Sequence, residues 1–215
     1  MAFHPYTGIG SRKTPPAVLA KMEAIAQFLG EKGLGLRSGG AIGADAAFER
    51  GALRSKGPIA SYRIPGNNGM TLRPDEVRGG PQPWMQDSTQ LPGWKDTASI
   101  LDQLGRMVYH NIPRFPISEN SYPQRLQRRN IFQVVGPKLD TPSKFTVAYT
   151  PTGYKGQGLL DYNNPDQRSG TNTAIKMSAA NDVPVFNLHN PEYPDLPNEQ
   201  ELAALRAFLR DTHLI

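Results

Sequence analysis

The chain predicts an α/β fold: a Rossmann-like, doubly wound, mostly parallel sheet with helices on both faces. Three observations carry this expectation. Short apolar runs alternate with stretches of helical period from end to end; glycine-rich turns stand where the first two runs stop; and 215 residues with 38% hydrophobic and 20% charged side chains suffice for one sizeable core. Strands alternating with helices of this length favour parallel pairing, because each helix returns the chain to the end where the next strand begins. One domain is expected over residues 1–215, with a long irregular insertion at about 65–96.

Tyr6 to Ile9 reads as a short buried strand ending in Gly10. From Pro15, the apolar residues Val18, Met22, Ile25 and Leu29 recur at helical spacing; Pro15 and Pro16 suit a first turn, and Gly30 or Gly33 suits the stop. Leu34 to Arg37 is the second strand, Ala44 to Leu53 the second helix and Ile59 to Ile64 the third strand. Pro65 to Asp96 is rich in Gly, Pro, Asn and Gln without a sustained period, and Trp84 and Trp94 within it either anchor the segment or cover a pocket. Ile100, Leu101, Leu104 and Val108 share one helical face, Ser121 to Val135 forms the next helix, and Phe145 to Tyr149 is a strand. A Gly- and Asn-rich loop runs to Gly170, followed by a helix over about Thr171 to Asn181, a strand from Pro184 to Leu188 and a final helix near Glu199 to Arg210.

With 24 basic and 19 acidic residues the net charge is +5, compatible with anionic ligands without demanding nucleic acid. The absence of cysteine excludes disulfides and thiolate zinc sites, and His4, His110, His189 and His213 lack metal-ligand spacing, so neither a metal nor a cofactor is expected. No apolar run approaches the roughly 18 residues of a membrane span, and the N-terminus lacks the basic and apolar regions of a signal peptide. The expected setting is the cytoplasm, with no membrane partner.

Two glycine-rich corners carry the chemistry. Gly10-Ser11-Arg12 ends the first strand, and Ser38-Gly39-Gly40-Ala41-Ile42-Gly43-Ala44-Asp45 joins the second strand to its helix. Glycine lets backbone approach a ligand closely, and the amides opening a helix lack internal partners and favour an anion, phosphate above all. Arg12 is expected to fork onto phosphate oxygens. Asp45 falls in a first helical turn, where the helix dipole alone explains an acid, and contact with a ligand hydroxyl is the other reading. Gly170 and Thr171 open a later helix in the same manner, with Thr171 as a plain N-cap being the structural alternative. Arg125, Arg128 and Arg129, with Lys138 and Lys144 downstream and Asn130 beside them, are either a cationic wall for polyphosphate or single-stranded DNA or an ordinary solvated face. Tyr109 with His110, and Tyr149 at a strand end, are candidates to stack one base.

The order of Gly10-Ser11-Arg12, Ser38 to Asp45, Gly170-Thr171 and Val185-Phe186-Asn187-Leu188 resembles the SLOG superfamily, which joins the DNA-processing protein A (DprA/Smf) family to the LOG-type nucleotide enzymes. The resemblance is to the bacteriophage DprA-like type in particular and covers residues 4 to 190. It implies a Rossmann-like fold holding a nucleotide or nucleic-acid phosphate at the carboxyl ends of the strands, homo-oligomers as in related families, and the host cytoplasm as the setting.

Departures from the family pattern redirect the expected function. LOG-type enzymes cleave the N-glycosidic bond of nucleoside monophosphates and carry a Glu two residues beyond the Gly-Thr pair; that position is Thr173 here. Such hydrolysis ordinarily needs a carboxylate. Glu49, Asp102, Glu119, Asp75, Glu76 and Asp87 are the acids considered as replacements, the first three read as surface charge. The leading expectation is therefore binding of a nucleotide or nucleotide-derived ligand, with single-stranded DNA binding and nucleoside-monophosphate N-glycosidase activity as alternatives.

Overall fold

The computed structural model describes residues 4–65, 84–110, 121–165, 167–189 and 198–213. Asp75, Glu76 and Glu119 lie outside the described residues. In chain order the elements are β1 (Pro5–Gly10), α1 (Pro16–Glu31), β2 (Gly35–Ser38), α2 (Ala44–Arg54), β3 (Ile59–Arg63), β4 (Met85–Asp87), α3 (Thr97–Val108), β5 (Tyr109–His110), α4 (Tyr122–Val135), β6 (Thr146–Tyr149), β7 (Leu160–Asp161), α5 (Gly170–Ala180), β8 (Val185–Asn187) and α6 (Asn198–Asp211).

Six of the strands form one all-parallel sheet in the order β4-β3-β2-β1-β6-β8. From β1 the chain moves outward through β2 and β3 to β4, then returns past β1 to β6 and β8. The order therefore reverses between β1 and β6, where Gly10 and Tyr149 are the last paired residues. In open α/β sheets that reversal opens a crevice at the carboxyl ends of the strands.

Each face of the sheet buries a separate apolar layer, which makes the fold doubly wound. On one side Met22, Ile25 and Leu29 of α1, Phe48 of α2 and Leu205 and Leu209 of α6 pack with Leu36 and Val147 from the strands. On the other, Leu101, Leu104 and Val108 of α3 meet Ile131 and Val134 of α4 and Ile175 of α5. The spacings of three and four residues in α1 and α3 are those of a single buried helix stripe. α1 opens on Pro16, ends at Lys32, whose amide closes onto the last carbonyls, and turns away at Gly33.

The 65–96 stretch contains more structure than its composition suggests. Its described part supplies the edge strand β4, a short 3-10 turn at Ser88–Gln90 and both tryptophans. A strand of only Met85, Gln86 and Asp87 is too short to show a period of two, so pairing with β3 decides its conformation. Trp84 packs on Ala46 of α2. Trp94 lies against Phe132 of α4, ring centroids 6.2 Å apart, and Tyr62 of β3 approaches the same Phe132 at 6.0 Å. The two-residue strands β5 and β7 pair in parallel within segments whose sequence shows no strand pattern. Among the described residues no helix is long and apolar enough to cross a membrane.

Phe132 is fully buried where α4, β3 and the Trp94 segment meet. Phe132→Ala is expected to cost about 3–5 kcal/mol, as for other buried aromatic truncations, measured as a lowered midpoint in urea unfolding at unchanged slope.

Candidate functional site

At the end of β1, Ser11 organises a tight turn. Its carbonyl accepts from Thr14 N (3.2 Å) and Thr14 Oγ1 (2.7 Å), and its hydroxyl accepts from Lys13 N at 3.0 Å. Arg12 is exposed beside it. The β2–α2 loop is built against this turn. Gly43 has φ +87, and a side chain there would meet Arg12 Cα at 2.7 Å and Arg12 O at 2.8 Å. Ala44 N donates to Ser11 O at 3.4 Å. The two glycine corners, 33 residues apart between Gly10 and Gly43 in the sequence, are thus in direct contact.

Behind the loop lies a buried charge network. Asp45 and Glu49 stand one turn apart on α2. Asp45 Oδ2 accepts from Arg129 Nη1 at 2.9 Å and from Ala41 N at 3.3 Å. Glu49 Oε2 accepts from Arg63 Nη2 at 2.9 Å, and its Oε1 accepts from Ser61 Oγ at 2.6 Å. The Arg129–Asp45 pair is 5% and 4% exposed, and Arg63–Glu49 is 14% and 0%. Burial raises the carboxyl pKa of both Asp45 and Glu49 above the ordinary range, with the facing arginines pulling the other way; for Glu49 the neighbouring Asp45 charge adds to the rise.

This network explains two of the glycines. A Cβ on Gly39 would fall 1.0 Å from Arg129 Nη1, and one on Gly40, whose φ is +68, would fall 2.7 Å from the Arg63 guanidinium carbon. Both positions make room for an arginine of the protein, which occupies the space a ligand was expected to use. The loop also uses its own donors: Gly40 N reaches Ser38 Oγ at 3.3 Å, and Ala46 N reaches Ala41 O at 3.0 Å.

α4 ties this corner to the rest of the carboxyl edge through three consecutive residues. Arg128 stacks on Trp94 at 4.0 Å and donates to Trp94 O (2.7 Å) and Thr97 Oγ1 (2.9 Å). Arg129 holds Asp45, and Asn130 Nδ2 donates to Gly170 O at 3.3 Å. The solvent-facing cationic wall expected from Arg125, Arg128 and Arg129 is therefore corrected: Arg128 and Arg129 are 5% and 4% exposed, and only Arg125 is half-exposed. Lys138 and Lys144 lie beyond the C-terminus of α4 and before β6, at the opposite edge of the sheet from Gly10. Sequence reads an arginine run as solvated because the partners of Arg128 and Arg129 here stand 31 and 84 positions away.

At the start of α5, Ser169 is the N-cap, accepting from Asn172 N at 3.2 Å, and Thr171 is buried one position inside the helix. Tyr109 Oη fixes this start by donating to Ser169 O (2.9 Å) and accepting from Ser169 N (3.0 Å). Thr173 is buried in the same turn. Asn187 is a clamp at the end of β8: its Nδ2 donates to Thr150 Oγ1 (3.0 Å) and Tyr154 O (2.8 Å), and its Oδ1 accepts from His189 N (3.0 Å).

Two placements escaped sequence reasoning. Glu49, read as surface charge, is fully buried, and Arg63 at the carboxyl end of β3 is its partner; the position of Arg63 at a strand end was the available signal. Asp102 does pair at the surface, with Arg106 four residues on, and Asp87 caps the turn after β4 by accepting from Thr89 N. Asp45 Oδ1, Arg129 Nε, Asn172 Oδ1 and Thr173 Oγ1 are buried with no protein partner. They are four of nine such atoms among the described residues, with others on Tyr6, Ser88, Ser121 and Gln133. Among the described residues no group of three or more His, Asp or Glu could hold a metal.

Compared with models of known protein families and with curated proteins, the chain matches none.

Removing Arg129 as Arg129→Ala strands the buried Asp45 carboxylate and is expected to cost about 3–5 kcal/mol; adding Asp45→Asn should recover part of that loss in urea unfolding. For Glu49, a folded-state pKa raised above the unfolded one means that the folded protein holds the proton more readily. Its contribution to stability therefore falls as pH rises from the ordinary carboxylate range through the raised folded value. The unfolding free energy of the wild type minus that of Glu49→Gln should decline over this interval in a pH series; a rising difference would mean that the pairing with Arg63 outweighs burial.

Proposed function

We propose that the chain is a SLOG-type, DprA-like protein that binds a nucleotide or nucleotide-derived ligand, its phosphate meeting the corner formed by Gly10, Ser11, Arg12, Ser38, Gly39, Gly40 and Gly43. The observation that carries the reading is the contact of the two glycine corners beside the reversal of strand order. In this reading Arg12 neutralises phosphate charge, the Ser11 hydroxyl donates its own hydrogen, and Gly170 and Thr171 contribute the amides that open α5. Arg129 and Arg63 brace the loop from behind, each paired with its carboxylate, Asp45 or Glu49.

The rival readings have less support. Single-stranded DNA binding retains only Arg125 of its three arginines at the surface. N-glycosidase chemistry needs an available carboxylate, and the two acids nearest the corner are buried in ion pairs.

Isothermal titration of the full chain with nucleoside mono-, di- and cyclic phosphates tests the proposal. Binding is expected in the micromolar to millimolar range, and Arg12→Ala should weaken it roughly ten- to hundredfold, the worth of one charge-assisted hydrogen bond. No binding at millimolar ligand by protein shown to be folded would sink it. A steep inverse dependence on salt for oligonucleotides would favour the DNA reading instead.

A further inference from the structure

The reversal of strand order leaves Gly10 and Tyr149 as neighbours on adjacent strand ends. Alternation along both strands sets them on the same face of the sheet: Tyr6 on β1, and Phe145, Val147 and Tyr149 leading into and along β6, all belong to the layer under α1. Adjacent strands lie about 4.8 Å apart, so the Tyr149 side chain rises immediately beside the turn proposed to hold phosphate. It is half-buried and packs against the core layer under α1.

A second ring completes a corner. His189 stands with its centroid 6.1 Å from Tyr149 at 62° between planes. Gly153, with φ +63, backs it: a side chain there would meet His189 Cδ2 at 3.1 Å. The Asn187 clamp holds the His189 backbone from one side and the Thr150 amide from the other, the latter at 3.4 Å. Asn187 Oδ1 thereby ties the backbone at His189 to that of Thr150, the residue after Tyr149, at the end of the sheet that also carries Arg12.

We infer that Tyr149 and His189 form the nucleobase wall of the crevice, so that the ligand class is a nucleotide recognised through its base as well as its phosphate. The inference rests on the phosphate reading above. A bare phosphate has no flat face to lay on an aromatic ring, whereas every base presents a π-face that stacks on such rings with little regard to sequence. Backbone and arginine take the charged end of the ligand at β1; Tyr149 and His189 take the flat end at β6 and β8. Stacking of this kind favours purines for their larger area without excluding pyrimidines.

The test compares ribose 5-phosphate with AMP, GMP, CMP and UMP by isothermal titration against the full chain. The nucleoside monophosphates are expected to bind about tenfold tighter than ribose 5-phosphate, the scale of one base–aromatic stack. Tyr149→Ala should bring nucleoside monophosphate affinity down to that of ribose 5-phosphate, and Tyr149→Phe should restore the gap. Circular dichroism establishes that each variant is folded; should Tyr149→Ala fail that check, Tyr149→Leu and His189→Ala carry the same comparison. Equal affinity of wild type for ribose 5-phosphate and all four nucleotides overturns the base wall and leaves the phosphate corner standing. A gap undiminished in folded Tyr149 and His189 variants overturns it as well. Failure of every compound to bind overturns both.

Discussion

The ion pair between Asp45 and Arg129 is the interaction on which the carboxyl edge of the sheet depends. It joins the first turn of α2 to the middle of α4, elements on opposite faces of the sheet, and it passes directly over Gly39. Two charges this deeply buried persist only when each is paired and hydrogen-bonded, because neither can recover its hydration. Asp45 meets that condition with a second donor, the Ala41 amide. The same bond that neutralises the buried charge therefore also fixes the course of the glycine loop. Arg128 and Asn130 extend the constraint in both directions, to Trp94 and to Gly170, so that one turn of α4 sets the relative positions of three separate segments.

Three of the helix starts at this edge, those of α1, α2 and α5, are differently equipped. α1 begins with Pro15 and Pro16, which bring no N–H, so its dipole is presented with fewer donors than usual. In α2 the Ala44 and Ala46 amides are occupied by Ser11 O and Ala41 O. α5 has its Ser169 cap and a tyrosine hydroxyl holding that cap from outside. The guanidinium groups of Arg63 and Arg129 behind the loop are each paired with a buried carboxylate. Burial raises the pKa of both of those carboxylates, against the pull of the arginines they face.

Much of the fold was legible in the sequence because it follows from local periodicity. Val18, Met22, Ile25 and Leu29 declare one helix face, Leu101, Leu104 and Val108 another, and both are buried as such. The glycine corners were legible for a related reason: a run such as Ser38 to Gly43 between a strand and a helix restricts the backbone more than it restricts the partners. Illegible were β4, β5 and β7, strands of two or three residues that exist because a neighbouring strand pairs with them.

By itself the sequence determined the alternation of elements, hence a doubly wound parallel sheet, and the two glycine-rich turns at the ends of its first two strands. Tertiary structure alone decided what those turns meet. An arginine run in a helix carries the same local signal whether it faces water or a carboxylate 84 residues earlier, and only the packing of α4 across the sheet chose the carboxylate. Glu49 was hidden for the same reason: a charge is buried or exposed according to partners that the fold, not the neighbouring residues, brings to it.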